Sequence, residues 1–215
     1  MITARVICLA IGYIAGLFQT GLFYGKMKHT DLRKQGSGNT GMTNSIRVLG
    51  WKAGVIVSAG DIFKAVLAMI VAWLLFRTVY PSGWKLLQMY AGLGAVLGHN
   101  FPFYLKFKGG KGIACTVGIV CAFHPLMVPV CAVLFFAAVI PTGFMSLGSL
   151  MISGGFLLQV LLFGQMGWLH LAQTFLTELY FITIILTILA FIKHKDNIRR
   201  LIRGEENKFR PKGNK

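Results

Sequence analysis

Acidic side chains are almost missing from this chain. Six of its 215 residues are Asp or Glu against 22 Lys and Arg, and charged residues of both signs amount to 13%, about half of what a soluble domain carries. With 55% of positions hydrophobic, the composition excludes a soluble globular protein and implies a chain embedded in a bilayer. Metal-type cysteine pairs are missing as well: Cys8, Cys115, Cys121 and Cys131 sit singly in apolar runs and read as small packing residues. A Gly-x-x-x-x-Gly-Lys-Ser/Thr nucleotide loop is absent, as are repeats and low-complexity tracts. The first apolar run lacks a cleavage pattern and is followed by others, so it reads as a retained span and not a signal peptide.

The formal net charge of +16 invites a nucleic-acid reading, but that requires the basic residues to share one solvated domain. They are divided instead. Six lie between Lys26 and Lys52, three between Lys106 and Lys111, and nine between Lys193 and Lys215, so 18 of the 22 fall in blocks separated by hydrophobic spans. This is the positive-inside pattern of cytoplasmic loops. The partners expected are the bilayer and phosphorylated small molecules, with no nucleic acid.

Apolar stretches run over about 2–24, 53–76, 84–105, 113–140, 144–166 and 173–192. Placing all three basic blocks on one side requires an even number of crossings between Lys111 and Lys193, which three uninterrupted spans violate. The stretch 113–140 resolves this, because its 28 residues would make a helix of about 42 Å and His124-Pro125 falls near its middle. Proline removes a donor and disfavours helix in the residue before it, so two short crossings are expected, about 112–123 and 126–140. The expected fold is all-α: one polytopic membrane domain over 1–215 with seven transmembrane helices, two of them short, N-terminus outside and C-terminus cytoplasmic. Five or six spans are the alternatives.

Three clusters carry chemistry. The first is Gly36-Ser37-Gly38-Asn39-Thr40-Gly41-Met42-Thr43-Asn44, with Arg47 just beyond. Three glycines among hydroxyl and amide side chains let backbone N–H groups surround an anion, and Arg can grip phosphate oxygens in a bidentate manner. The second runs from Gly98 to Gly112 and contains His99, Asn100, Lys106, Lys108, Gly109, Gly110 and Lys111; its lysines flank a Gly-Gly pair, again suited to an anion. The third follows the last apolar stretch, where His194, Asn197 and Arg200 are three apart and share a face of a continuing helix. Ser146 and Ser149 open a span on the same side and are placed to donate to phosphate or cap that helix. Within the spans the only acids are Asp61 and Glu178. Asp61 lies one helical turn from Lys64 and reads as a structural pair supporting the first loop; Glu178, near the outer end of the last span, is given no role.

Taken together and in this order, the clusters resemble the three motifs of the bacterial acyl-phosphate:glycerol-3-phosphate acyltransferase family. Gly36 to Gly50 is similar to its first motif, Gly98 to Gly112 to its second, and His194 to Glu205 to its third. The resemblance implies an inner-membrane enzyme, active site facing the cytoplasm, that moves an acyl group from acyl phosphate to the 1-hydroxyl of sn-glycerol 3-phosphate, giving lysophosphatidic acid and inorganic phosphate. It implies no cofactor and no metal, and a monomer is expected. On this resemblance Ser37, Asn39, Thr43, Asn44 and Arg47 would hold the donor head group, with Gly36, Gly38, Thr40 and Gly41 binding substrate in the same loop. Lys108 and Lys111, with Ser146, His194, Asn197 and Arg200, would fix the acceptor, and His99, Gly109 and Gly110 would bind substrate beside them. The His-x-x-x-x-Asp pair of other glycerol phosphate acyltransferases is absent, since none of the five histidines has Asp five residues later. The proton acceptor is then either the donor's own phosphate or His194. Acyl-CoA as donor and a phosphate transporter are the competing readings.

Overall fold

A computed structural model describes residues 1–209; Arg210, Lys212 and Lys215 of the basic tail lie outside the described residues. Among these the chain is helical throughout, without strands. The helices are α1 (Ile2–Leu17), α2 (Thr20–Met27), α3 (Met42–Leu49), α4 (Trp51–Phe76), α5 (Trp84–Asn100), α6 (Ile113–Phe123), α7 (Met127–Thr142), α8 (Met145–Gln165), α9 (Gln173–Lys193) and α10 (Lys195–Ile202). Four segments, Ile2–Met27, Trp51–Phe76, Met145–Gln165 and Gln173–Lys193, are long and apolar enough to cross a membrane. Large apolar side chains such as Ile140, Phe63 and Phe181 point outward, 62–78% exposed, as a lipid-facing surface requires and a water-facing one resists.

The expected break at His124-Pro125 is present. His124 is extended, with φ −158° and ψ 118°, the conformation that a following proline imposes. It separates α6, about 16 Å long, from α7, about 24 Å long. Neither spans a bilayer core of about 30 Å unaided, and each leans on a neighbour: α6 on α4, α7 on α8.

Two boundaries differ from the sequence expectation. The stretch 84–105 is helical only to Asn100, after which Phe101 to Gly112 forms a loop. The stretch 2–24 breaks at Phe18-Gln19. That break is held by one local donor and two distant ones: Gln19 Nε2 donates to the carbonyl of Gly16 (3.4 Å), the Tyr104 hydroxyl to Leu17 (2.6 Å) and Lys64 Nζ to Phe18 (2.6 Å). Carbonyls released from a helix end inside a membrane protein must find such partners.

The closest helix crossing is α1 on α5, where Gly12 and Gly16 meet Gly94 and Gly98. A Cβ added at Gly98 would stand 2.1 Å from the Tyr13 carbonyl oxygen, and one at Gly12 would stand 1.9 Å from that of Ala91. Such small-xxx-small pairs let backbones approach where no hydrophobic force drives helices together. Glu178 also acquires a role the sequence reading had denied it. It ties α9 to α1 and α5 by accepting from Arg5 Nε (2.5 Å) and Nη2 (2.6 Å) and from the Tyr90 hydroxyl (2.5 Å).

One end of the bundle gathers the loop after α2, the loop before α6, the α7–α8 turn and the α9–α10 junction. Lys193 Nζ donates to the Asn100 carbonyl (3.1 Å), and the Phe209 N–H donates to that of Gly143 (2.7 Å). The opposite end brings together Ser82 and Ala172, and His124 and Phe163. The chain therefore alternates ends, with α6 and α7 each traversing the bundle.

Candidate active site

The gathered end encloses a cavity of about 850 Å³. Its first wall is the glycine loop. Gly36 and Gly38 adopt φ +60° and +72°, and a Cβ on Gly36 would stand 2.2 Å from Asn44 Oδ1, so glycine is required there for Asn44 to act as the loop's internal brace. The Asn44 amide donates to the carbonyls of Leu32 (3.1 Å), Gln35 (3.0 Å) and Asn39 (2.8 Å), while its oxygen accepts from the Ser37 N–H (2.8 Å). Asn39 Oδ1 accepts from the Gly41 N–H (2.9 Å). Both asparagines, expected from the sequence to hold a ligand, thus have side chains engaged in shaping the loop. The loop lines the cavity with Ser37, Asn39, Thr43, Asn44, Arg47 and the start of α3, whose first N–H groups lack intrahelical acceptors and face anions favourably.

The second wall is the loop returning from Gly109 to Gly112. Gly109 and Gly110 donate to the carbonyls of Asn100 and His99 (both 3.1 Å), laying the loop on the last turn of α5. Lys111 is carried over the cavity and donates to Asn197 Oδ1. Burial pushes its ammonium down to about 8, with Glu206 opposing that shift and Arg200 adding to it.

The third wall is the α9–α10 junction. The helix does not continue as expected: His194 caps α9 and starts α10, yet His194, Asn197 and Arg200 still face the same cavity. His194 Nδ1 lies 2.8 Å from the Ala190 carbonyl. A carbonyl only accepts, so Nδ1 carries the proton and Nε2 is left as an acceptor. Burial, then the Lys111 charge, push this imidazole down to about 4, so it is neutral at pH 7.

Glu206 is the residue the sequence reading missed, having ended the third motif at Glu205. A turn at Gly204, φ +70°, folds the tail back so that the Glu206 carboxylate accepts from Ser146 Oγ (2.9 Å), Asn197 Nδ2 (2.7 Å) and Arg200 Nε (2.8 Å). Burial alone would raise this carboxyl, but hydrogen bonds from Asn197, Ser146 and Arg200 hold it below its usual range. The helix-ending glycine after α10 was the available signal. Ser149, by contrast, spends its hydroxyl on the Met145 carbonyl (2.8 Å).

Under the cavity floor, Asp61 and Lys64 pair at 2.7 Å, as their spacing predicts. Asp61 also accepts from the Thr20 hydroxyl (3.0 Å), and Lys64 Nζ lies 2.8 Å from His99 Nδ1. Asp61 and His99 line the cavity, whereas Lys64 sits behind them; Gly36, Thr40 and Lys108 are likewise off its lining. Away from the polar walls the cavity continues as an apolar trough between α6 and α7, lined by Ile113, Val117, Val120, Val128, Ala132 and Phe135.

A family model described as glycerol-3-phosphate acyltransferase matches residues 6–204. The chain is 38% identical over 211 residues to a glycerol-3-phosphate acyltransferase of Bacillus subtilis (strain 168), covering 98% of this chain and 99% of that one. It is 37% identical over 209 residues to one of Macrococcus caseolyticus (strain JCSC5402), covering 94% and 95%. Among solved structures it is similar to PlsY (YgiH), an integral membrane glycerol 3-phosphate acyltransferase, in its glycerol 3-phosphate form, with TM-score 0.83 and 30% identity over 96% of each chain. The lysophosphatidic acid form gives TM-score 0.81 and 29% identity over 96% and 95%.

Proposed function

Because the chain belongs to the glycerol-3-phosphate acyltransferase family and is a polytopic membrane protein, we propose that it moves a fatty acyl group from acyl phosphate to the 1-hydroxyl of sn-glycerol 3-phosphate. The products are lysophosphatidic acid and inorganic phosphate, and the step is the first acylation of phospholipid synthesis. The observation that carries this reading is the one cavity joining three cation-bearing polar walls to an apolar trough. Two phosphorylated substrates and one alkyl chain need that combination. From Ile113 to Cys121 the trough follows α6 for about 12 Å, enough to sheath much of an acyl chain.

In this reading the start of α3, with Ser37, Thr43 and Arg47, holds the donor's phosphate, and Lys111, Ser146, His194, Asn197 and Arg200 fix the acceptor. Glu206 sets the directions of three of those side chains. An acyl phosphate is already an activated anhydride, so the protein's task is positioning and charge neutralisation. The acceptor oxygen bonds to the carbonyl carbon, the carbon–oxygen bond to phosphate breaks, and the hydroxyl proton must leave. His194 Nε2 can accept a hydrogen bond from that hydroxyl, but burial and the Lys111 charge weaken it as a base, whereas the phosphate gains basicity as its bond to carbon breaks. The proton therefore goes to the departing phosphate, and His194 orients.

The whole chain is taken as one domain and a monomer in the cytoplasmic (inner) membrane, crossing seven times. The basic segments gathered at the cavity end support an active site facing the cytoplasm. Purified protein given labelled glycerol 3-phosphate with either acyl phosphate or acyl-CoA tests the reaction. Transfer from acyl phosphate is expected, and its absence overturns the reading.

A further inference from the structure

We infer that His99 is a catalytic residue for this transfer: its Nε2–H, fixed by the buried Asp61–Lys64 pair, donates to the acyl carbonyl oxygen as negative charge develops there. The inference rests on the acyl-transfer reading and gives a chemical role to a residue that the sequence resemblance counted only as substrate-binding.

The tautomer follows from Lys64. An ammonium can only donate, and Lys64 Nζ gives its hydrogens to Asp61 Oδ1 (2.7 Å), the Phe18 carbonyl (2.6 Å) and His99 Nδ1 (2.8 Å). His99 Nδ1 is thereby an acceptor, and the ring proton is on Nε2. Asp61, 3.7 Å from His99 Nδ1, accepts from both Lys64 Nζ and the Thr20 hydroxyl. The cluster is enclosed, with Asp61 1%, Lys64 5% and His99 4% exposed. A buried ion pair of this kind is costly in a membrane and gains meaning as a device that sets its neighbour.

The location follows from the walls. His99 Nε2 faces Gly110, where an added Cβ would stand 2.1 Å away, so the loop closes against the ring only because residue 110 has no side chain. His99, beside Asp61 and Gly110, lines the same cavity as Ser37, Thr43 and Arg47 of the polar loop and Ile62, Ile113 and Val117 of the apolar trough. The group that links the phosphate of an acyl donor to its alkyl chain is the carbonyl, and the junction between the walls is its place. The first N–H groups of α6, at Ile113 and Ala114, border the same junction and are free of intrahelical acceptors, which adds backbone donors to the imidazole. As the acceptor oxygen attacks, the carbonyl π pair moves onto oxygen and is stabilised there; its return expels phosphate, which takes the hydroxyl proton. Preorganised donors aimed at that oxygen supply much of the barrier lowering in acyl transfer. His99 is then catalytic, while Lys64 and Asp61 are positioning residues that act through it.

Two amides test this. In His99→Asn the side-chain amide sits where Nδ1 was and can still meet Lys64, but nothing reaches the Nε2 position. In His99→Gln an N–H₂ reaches that position. The expected result is a fall in kcat of about 100-fold for His99→Asn, KM for both substrates within about threefold of wild type, and recovery to within about tenfold of wild type in His99→Gln. Nitrogen NMR of histidine-labelled protein, assigned with His99→Asn, should show a pyridine-like Nδ1 and a pyrrole-like Nε2 for His99. Equal losses in both variants, a loss confined to KM, or the opposite tautomer would overturn the assignment. The comparison runs on whichever donor the wild-type protein uses, since a thioester has the same carbonyl. Failure of acyl phosphate as donor would therefore sink the wider reading and leave this one to be judged on its own result.

Discussion

Raising the pH should disable acceptor capture through one residue, Lys111. Its ammonium, ordinarily near 10.5, lies at about 8 because burial disfavours the charge, with Arg200 adding to that shift and Glu206 opposing it. The folded-state value is depressed for a base, so the cation is present below pH 8 and lost above it. The partner phosphate is a dianion throughout this range, with its second pKa near 6, so the change belongs to the enzyme. About nine in ten free enzyme molecules carry the proton one unit below the midpoint and about one in ten one unit above, so kcat/KM for glycerol 3-phosphate should fall about tenfold between pH 7 and pH 9. A bound phosphate stabilises the ammonium, so kcat at saturating acceptor should vary much less over that window. The assay is incorporation of labelled glycerol 3-phosphate into lipid at fixed acyl phosphate, corrected for donor hydrolysis. Lys111→Arg supplies the decisive control, because a guanidinium stays protonated: whatever its absolute rate, its profile should be flat across pH 7 to 9. A flat wild-type profile, or an alkaline limb that persists in Lys111→Arg, would refute the reasoning.

Arg47→Ala should lower kcat/KM for acyl phosphate by roughly 10- to 100-fold, the worth of a charge-assisted contact of about 1.5–3 kcal/mol, with the KM for glycerol 3-phosphate little changed; steady-state kinetics varying each substrate in turn checks it. Glu206→Gln turns an acceptor that serves Ser146, Asn197 and Arg200 into a group that is half donor, and should cost about 2 kcal/mol, read as a lower thermal unfolding midpoint in detergent. An unchanged midpoint would show that the carboxylate does not hold the junction together. Gly98→Leu should prevent recovery of folded protein, since even a Cβ there meets the Tyr13 carbonyl oxygen at 2.1 Å, while Gly154→Ala, with open space around it, should be recovered as wild type by size-exclusion chromatography.

What the sequence made legible was whatever local composition or parity controls. The alternation of basic blocks with apolar runs gave the helical class, and crossing parity with His124-Pro125 located the break between α6 and α7. The glycine loop, the Gly109-Gly110 turn and the Asp61–Lys64 spacing were visible because each depends on neighbours in the chain. The breaks at Phe18 and His194 were not, because the donors that stabilise the first come from Lys64 and Tyr104, far away in sequence. The bracing role of Asn44 was not legible, because an amide's type does not disclose that its hydrogens are committed to three carbonyls. Glu206 escaped for the opposite reason: an acid in a basic tail reads as solvated until the Gly204 turn brings it under Ser146.

The two histidines of the cavity show why residue type alone underdetermines mechanism. Both are neutral imidazoles at the ends of spans, yet they present opposite faces. The Ala190 carbonyl takes the Nδ1 hydrogen of His194 and leaves Nε2 as an acceptor, whereas Lys64 takes the Nδ1 lone pair of His99 and leaves Nε2 as a donor. Acyl transfer needs that polarity, because a hydroxyl must be oriented through its hydrogen on one side of the carbonyl while charge accumulates on oxygen at the other. If both rings had the same tautomer, one of the two needs would go unmet and the residue would only fill space. The asymmetry is created by a backbone carbonyl in one case and a buried ion pair in the other. This explains why a buried, intramembrane Asp61–Lys64 pair belongs beside a reaction centre.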